Sequence, residues 1–217
     1  MIVYKLTDQK MRTYRGFQWS LHKIAKTSGH GPLCSPAWLH AYEDPLLAVF
    51  HNPRDANIYN PRMFKAETHD GIILRDGHMK LGTTKLELLE EMQIPQVDMI
   101  NRQAYCILCA LERLKLFTNL SRDCVEKDFV KWAKAWISGK NRSSAAANDL
   151  YNRFYYNKML SNTNHSLHAA WAAVDSAGPG ANRGVAMTSA YSVYLASKGL
   201  VDLPHPKLAQ EAMKIKT

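Results

Sequence analysis

The spacing of apolar residues changes near residue 95, and this change limits the folds open to the chain. Before residue 95, apolar and polar residues alternate with a period of two, which is typical of half-buried strands. After it, Val97, Ile100, Ala104, Leu108 and Leu111 recur at helical spacing. The sequence therefore predicts an α+β fold. A small mixed or antiparallel-sheet module occupies residues 1–95, and an all-α helical module occupies residues 96–217.

Short local signals predict the elements of the first module. The segment Tyr14–Trp19 alternates large and polar side chains, and Arg62–Glu67 does the same, so both are predicted as strands. Asp44 is followed by Pro45, an order that favours an N-cap and the first residue of a helix. Residues 84–92 fit either a strand or a short helix, and the pattern does not separate the two.

Helical spacing and stop signals predict five helices and a short amphipathic tail in the second module. Their ranges are 96–117, 121–138, 143–160, 164–177, 181–198 and 206–216. In the second of these helices, steps of four, three and four residues join the apolar side chains that we expect to face the core. These are Val125, Phe129, Trp132 and Trp136.

Five basic residues lie on another face of that helix or in the loop that follows it. They are Lys127, Lys131, Lys134, Lys140 and Arg142. Like charges at this spacing slightly destabilise a helix, so stability does not explain them. We predict that they bind an acidic partner, either a protein surface or nucleic-acid phosphate; a solvated basic face without a partner is the alternative.

The net charge of the whole chain is +9, and it is unevenly distributed. Residues 1–95 carry about +2 and residues 96–217 about +7. A basic second half attracts an acidic protein surface, a protein–nucleic-acid complex or nucleic acid directly, and the attraction weakens with salt. No window of eighteen apolar residues and no secretory leader pattern is visible, so we expect a cytoplasmic protein without a membrane partner.

The four cysteines are too few for a disulfide scaffold, which favours a reducing compartment. Cys106 and Cys109 have the CxxC spacing of metal and redox sites, but they fall among apolar residues of a predicted helix. No second ligand pair follows at a zinc-site spacing. We interpret them as buried thiols, and we predict no metal and no cofactor.

A candidate ligand patch lies in the first module. It consists of Arg15, Trp19, His40, Tyr42 and Glu67. His40 titrates near neutrality and has tyrosine and carboxyl groups close in sequence, so the mixture suits ligand binding. A core histidine bonded to the backbone is the plainer interpretation. P-loop, dinucleotide-binding, HExxH and GxSxG motifs are absent from the sequence, and we predict no catalytic residue.

Several segments resemble an uncharacterised family of small proteins encoded by tailed phages and prophages. They are Tyr14–Trp19 (YRGFQW), Leu39–Leu46 (LHAYEDPL), Arg62–Glu67 (RMFKAE) and Lys80–Glu91 (KLGTTKLELLEE). The family pattern reads CRGFQY, GFHFCENP and EVEA, and a WA..WLSGKDRS helical module often follows it. Here that module resembles Trp132–Ser143 (WAKAWISGKNRS).

The chain departs from this pattern at Trp38–Pro45, which keeps the histidine and proline but lacks the glycine and cysteine. The resemblance implies a phage-encoded protein that acts in the host cytoplasm, and it supplies no catalytic residue. Our leading hypothesis is a binding protein that inhibits or redirects a host machine through protein–protein contact. The alternatives are a compact nucleotide-transferring enzyme of the ADP-ribosyltransferase type and a direct nucleic-acid binder.

Overall fold

The computed structural model describes residues 1–116, 124–158, 165–177, 184–197 and 203–216. The chain divides into two compact units, Met1–Gln96 and Val97–Thr217, which we call the N-terminal unit and the helical unit. The first combines strands with one helix, and the described part of the second is helical. The α+β class predicted from the change in apolar spacing is confirmed.

The N-terminal unit, which is described throughout, holds nine strands. They are β1 (Ile2–Thr7), β2 (Arg12–Thr13), β3 (Phe17–Gln18), β4 (Ile24–Lys26), β5 (Leu39–Ala41), β6 (Arg62–Thr68), β7 (Ile73–Asp76), β8 (Lys80–Thr83) and β9 (Lys85–Met92). They form a four-stranded sheet in the order β1-β6-β9-β4, a three-stranded sheet in the order β5-β8-β7, and the pair β2-β3. Residues 84–92, which the sequence left between strand and helix, are a strand.

The two larger sheets contribute to one hydrophobic core. Its buried members are Val3, Trp19, Leu39, Ala41, Phe64, Ala66, Leu81, Leu86 and Leu88. In β1, Val3 pairs with Ala66 and Lys5 pairs with Phe64. Because side chains two residues apart share one face of a strand, Lys5 lies on the same face as Val3. The register therefore brings a lysine to the margin of the core.

Helix α1 (Pro45–Asp55) begins as the sequence predicts. The Asp44 carboxylate accepts a hydrogen bond of 2.7 Å from the backbone N–H of Leu46, and Pro45 is the first helical residue. The carboxylate satisfies one of the unpaired N–H groups of the first turn. The helix packs against β1 and carries His51 and Asp55 at its C-terminal end.

The strand predicted over Tyr14–Trp19 forms only at Phe17–Gln18. Tyr14–Gly16 is a tight turn between β2 and β3, closed by a hydrogen bond from the Phe17 N–H to the Tyr14 carbonyl. Arg15 and Gly16 both have positive φ, 55° and 77°, as the two central residues of a type I′ hairpin turn require. The alternation of large and polar residues favours a strand here, so the pattern did not predict the turn at Arg15 and Gly16.

The described part of the helical unit holds six helices. They are α2 (Met99–Leu116), α3 (Cys124–Ile137), α4 (Ser144–Lys158), α5 (His165–Ala177), α6 (Val185–Ser197) and α7 (His205–Ala212). Helix α2 contacts α3, α5, α6 and α7. Each helix starts and ends within a few residues of its predicted range.

Candidate functional site

Helix α3 separates an aromatic face from a basic face. Phe129, Trp132 and Trp136 are buried, as predicted, with Trp136 only 2% exposed; the side chain of Val125 lies outside the described residues. Lys127, Lys131 and Lys134 are exposed. At about 100° per residue, these three lysines lie within an arc of about 60° on the side opposite the aromatic rings.

Helix α3 ends in a Schellman motif. The Lys140 N–H bonds the Ala135 carbonyl at 2.9 Å, the Gly139 N–H bonds the Trp136 carbonyl at 3.1 Å, and Gly139 has a φ of 75°. Lys140 follows directly and is exposed. We call Lys127, Lys131, Lys134 and Lys140 the lysine face.

The lysine face makes no ion pair with any carboxylate in the described ranges of the chain. Two acidic residues, Glu126 and Asp128, flank Lys127 in the sequence, and Asp128 is bonded to Arg153 of α4. The charge of Asp128 is therefore already compensated by another residue. The face presents positive charge that the described part of the fold does not neutralise.

Arg142, which the sequence groups with these lysines, is engaged inside the unit. Its Nε donates to the Trp136 carbonyl at 3.0 Å, its Nη1 donates to the Lys216 carbonyl at 2.6 Å, and its guanidinium lies 4.9 Å from the Trp136 ring centroid. The side chain ties the end of the chain to the C-terminal end of α3. The bond to the Lys216 carbonyl places the last described residues near the end of α3, and Lys214 and Lys216 there are both exposed. Neither lysine was predicted from the sequence.

In the N-terminal unit, the predicted ligand patch does not assemble as one group. Arg15 is exposed at the hairpin turn, where its guanidinium lies 5.2 Å from the Tyr14 ring centroid. Glu67 lies 3.9 Å from the N-terminal amine. Trp19 is buried and donates to the Thr13 hydroxyl at 2.9 Å. His40 and Tyr42 instead lie near residues that the sequence did not single out.

One of these residues is Asp55, at the end of α1. Its carboxylate pairs with the Arg54 guanidinium at 2.7 Å and with the Lys80 ammonium at 3.4 Å, and it accepts a bond of 3.4 Å from the Tyr42 hydroxyl. Its side chain is 11% exposed and that of Lys80 is 9% exposed. Burial, followed by the Asp55 charge, raises the pKa of Tyr42 well above its ordinary value, so this phenol stays protonated near neutral pH.

Another residue near His40 is Lys5, which is buried in β1. Its ammonium donates to the His40 carbonyl at 2.5 Å and lies 5.2 Å from the Trp19 ring centroid. Burial lowers the pKa of Lys5 from 10.5 to about 8. We call Lys5, His40, Tyr42, Arg54, Asp55 and Lys80 the Asp55 cluster. No sequence motif marks it, because its members come from four separate elements and their flanking segments.

A loop covers the histidine of this cluster. The imidazole Nε2 of His40 lies 2.5 Å from the Leu33 carbonyl. Burial lowers the pKa of His40, and the nearby charges of Lys5 and Lys80 lower it further, although the bond to Leu33 acts in the opposite direction. His40 is therefore neutral near pH 7. This contact with a backbone carbonyl agrees with the plainer interpretation of His40.

Gly82 allows this loop to approach the sheet. It pairs with His40, and a Cβ at this position would lie 2.5 Å from Leu33 Cδ1 and 2.9 Å from Trp38 Cβ. We expect Gly82→Ala to lower the free energy of unfolding by about 1–3 kcal/mol, because the loop must move. It should also increase protease cleavage within residues 28–37. Urea unfolding and limited proteolysis measure both effects, and unchanged values would show that the loop does not press on Gly82.

In the helical unit, Cys106 and Cys109 are buried on α2, as their apolar surroundings predict. Burial raises the pKa of Cys106 to about 11. Beside them, His205 Nδ1 lies 2.9 Å from the Tyr105 hydroxyl and its Nε2 lies 2.8 Å from the Ser197 hydroxyl. These bonds connect α7 to α2 and α6. Sequence reasoning missed this network, since its partners are up to 100 residues apart.

Neither a metal site nor a membrane span is visible in the described ranges. No three His, Cys, Asp or Glu side chains among these residues lie close enough together to hold a metal ion. No described helix is both long enough and apolar enough to cross a bilayer.

Comparison with known proteins gives a match for the first part of the chain only. Residues 1–100 match the model of a family described as a domain of unknown function, DUF7666. This match covers the N-terminal unit and the first residues of the helical unit. No curated protein and no solved structure gives a match. The similarity is thus to an uncharacterised domain family, and it leaves the lysine face outside the matched region.

Proposed function

We propose that this chain is a phage-encoded binding protein that acts in the host cytoplasm and inhibits or redirects a host machine by protein–protein contact. The observation that carries the proposal is the lysine face, which is exposed and faces away from a buried aromatic stripe. The phage context rests on the sequence resemblance. The partner would present an acidic surface to the helical unit.

The packing of α3 suits this role. Because Phe129, Trp132 and Trp136 are buried, the helix is held in one orientation and its lysines project to the same side. A fixed array of like charges accelerates encounter with an oppositely charged surface and selects against basic partners. The exposed Lys214 and Lys216 near the end of α3 extend the positive field.

The enzyme alternative gains no comparable support. It needs His40, Tyr42 and Glu67 to converge, but within residues 1–116 the ion pair of Glu67 is with the N-terminal amine. Tyr42 instead bonds Asp55, and His40 bonds the Leu33 carbonyl. The three groups therefore do not form the constellation that this alternative requires.

The lysine face gives the proposal a direct test. We expect the triple substitution Lys127→Glu, Lys131→Glu and Lys134→Glu to reduce partner capture from host lysate at least about tenfold, because the attraction becomes repulsion. Mass spectrometry after affinity capture identifies the partner. The dissociation constant is then measured between about 50 and 200 mM salt, and the triple variant should show a weaker salt dependence.

A matched variant separates this effect from a change in net charge. Lys10, Lys23 and Lys26 are exposed on the N-terminal unit, and their replacement by Glu changes the charge equally. This control should retain capture. Equal capture by the lysine-face variant and the wild type would remove α3 from the interface. Loss of all captured protein after nuclease treatment would favour the nucleic-acid alternative.

A further inference from the structure

Strand β7 lies at an edge of the three-stranded sheet β5-β8-β7. It pairs with β8 on one side, and on the other side it pairs with no strand in the part of the chain that the structure describes. The outer side of an edge strand exposes a row of N–H and C=O groups to which a further strand can bind. The backbone of β7 is therefore a template for strand addition.

The hydrogen bonds at one end of the β7–β8 pair show which residues of β7 point their backbone outward. Ile72 accepts a bond of 3.2 Å from the Thr84 N–H, and its own N–H donates to the Thr84 hydroxyl at 3.1 Å. Because bonded and non-bonded pairs alternate along an antiparallel ladder, Leu74 also bonds β8. The N–H and C=O groups of Ile73 and Arg75 therefore point away from β8.

The side chains distinguish the β7 edge from the edge formed by β4. Ile72, directly before β7, is 57% exposed and Leu74 is 39% exposed, and both lie on one face because they are two residues apart. At the other edge, the exposed Lys23 and Lys26 flank or end β4, and natural sheets use lysine to prevent edge pairing. Residues 71–79 contain no lysine, so β7 lacks this protection.

We propose that β7 is the surface on which a second copy of this chain binds, as an antiparallel strand that joins two three-stranded sheets into one. A two-fold axis at Leu74 pairs Ile73 of each copy with Arg75 of the other, so the outward backbone groups of both residues find partners. The two Leu74 side chains meet at the axis as a cross-strand apolar pair. Both copies use the same edge, so the assembly closes as a dimer.

The charged residues at this edge favour a second copy in this register. The axis places Asp70 of one copy opposite His78 of the other, which sets a hydrogen-bond acceptor against a donor. A register shifted by two residues would instead place Asp76 opposite Asp70, and like charges directly opposite each other destabilise a strand pair. Arg75 is bonded to Glu43 at 2.9 Å. Its charge is thus compensated within the same copy.

Sedimentation equilibrium of the full chain, from micromolar to near-millimolar concentration, tests the proposal. Two short edge strands bury less surface than a standard interface, so we expect a dimer that dissociates on dilution. Arg75→Pro removes an outward N–H from each copy and leaves the bonds to β8 in place. It should weaken the dimer at least about tenfold. Arg75→Ala, the matched control, also removes the bond to Glu43 but keeps the N–H, and it should dimerise like the wild type.

Leu74→Lys is a second variant at an exposed position, and it should also give a monomer because two lysines would meet at the axis. Far-UV circular dichroism and urea unfolding check that each variant is folded. A wild type that stays monomeric at the highest concentration overturns the proposal. Dimers of Leu74→Lys or Arg75→Pro as strong as those of Arg75→Ala overturn it too. Binding of a host segment to β7 of a chain that stays monomeric would assign the edge to a different partner.

Discussion

Lys5→Met is expected to stabilise the protein near neutral pH by about 3 kcal/mol, with the gain vanishing in alkali. The pKa of Lys5 falls from 10.5 to about 8 in the folded state because burial disfavours the ammonium. Each pKa unit corresponds to about 1.4 kcal/mol. Methionine fills similar space without a charge, so the variant avoids the cost of burying the ammonium.

The sign of the pH dependence follows from linkage. Above pH 10.5 the amine is neutral in both folded and unfolded chains, and Lys5 imposes no penalty. As pH falls from 10.5 to about 8 the unfolded chain takes up the proton first, so the stability of the wild type declines; below about 8 the penalty is constant. The wild type should therefore become more stable relative to Lys5→Met as pH rises through this window.

Urea unfolding of both proteins between pH 7 and 11 measures the difference. Buried phenol and thiol groups also titrate in alkali, but they are common to both proteins and cancel in the comparison. Lys26→Met, at an exposed position, should show a difference near zero at every pH. A constant difference between Lys5→Met and the wild type across the range would mean that Lys5 titrates normally.

Local signals account for the parts of the fold that the sequence predicted. Asp44 and Pro45 determine the start of α1 through adjacent backbone groups. The aromatic stripe of α3 depends only on spacing within one helix, and the Gly139 stop depends on a single residue with positive φ. Each of these features is encoded within a few neighbouring residues, so the pattern alone was enough.

Features that depend on distant partners were not predictable in this way. From the sequence alone, Arg142 is one more surface cation. In the structure it bonds the carbonyls of Trp136 and of Lys216, the latter 74 residues away. From the sequence alone, Lys5 is the polar residue of an alternating strand. Its burial becomes visible only when Trp19 and His40 are seen to pack against it. The exposure of the lysine face was therefore predictable, whereas the sequence singled out only His40 and Tyr42 among the members of the Asp55 cluster.

The second large effect concerns the helix that carries the lysine face. Trp136→Ala is expected to lower the free energy of unfolding of the helical unit by about 3–5 kcal/mol, since the indole is almost wholly buried and leaves a cavity. The loss includes the contact between the ring and the Arg142 guanidinium. Urea unfolding followed by far-UV circular dichroism measures it. Lys131→Ala, on the exposed face, should stay within about 0.5 kcal/mol of the wild type.

Substitution of Arg142 tests whether the Trp136 indole stabilises the C-terminal end of α3 as well as the core. We expect Arg142→Ala to cost about 1–2 kcal/mol, because the carbonyls of Trp136 and Lys216 each lose a charged donor. In the Trp136→Ala background the same substitution should cost less, since the ring contact is already gone, and the double-mutant cycle gives the coupling. A loss below about 1 kcal/mol for Trp136→Ala would contradict the packing of α3. Strict additivity would instead place Arg142 outside the Trp136 contact and leave Lys216 as its main partner.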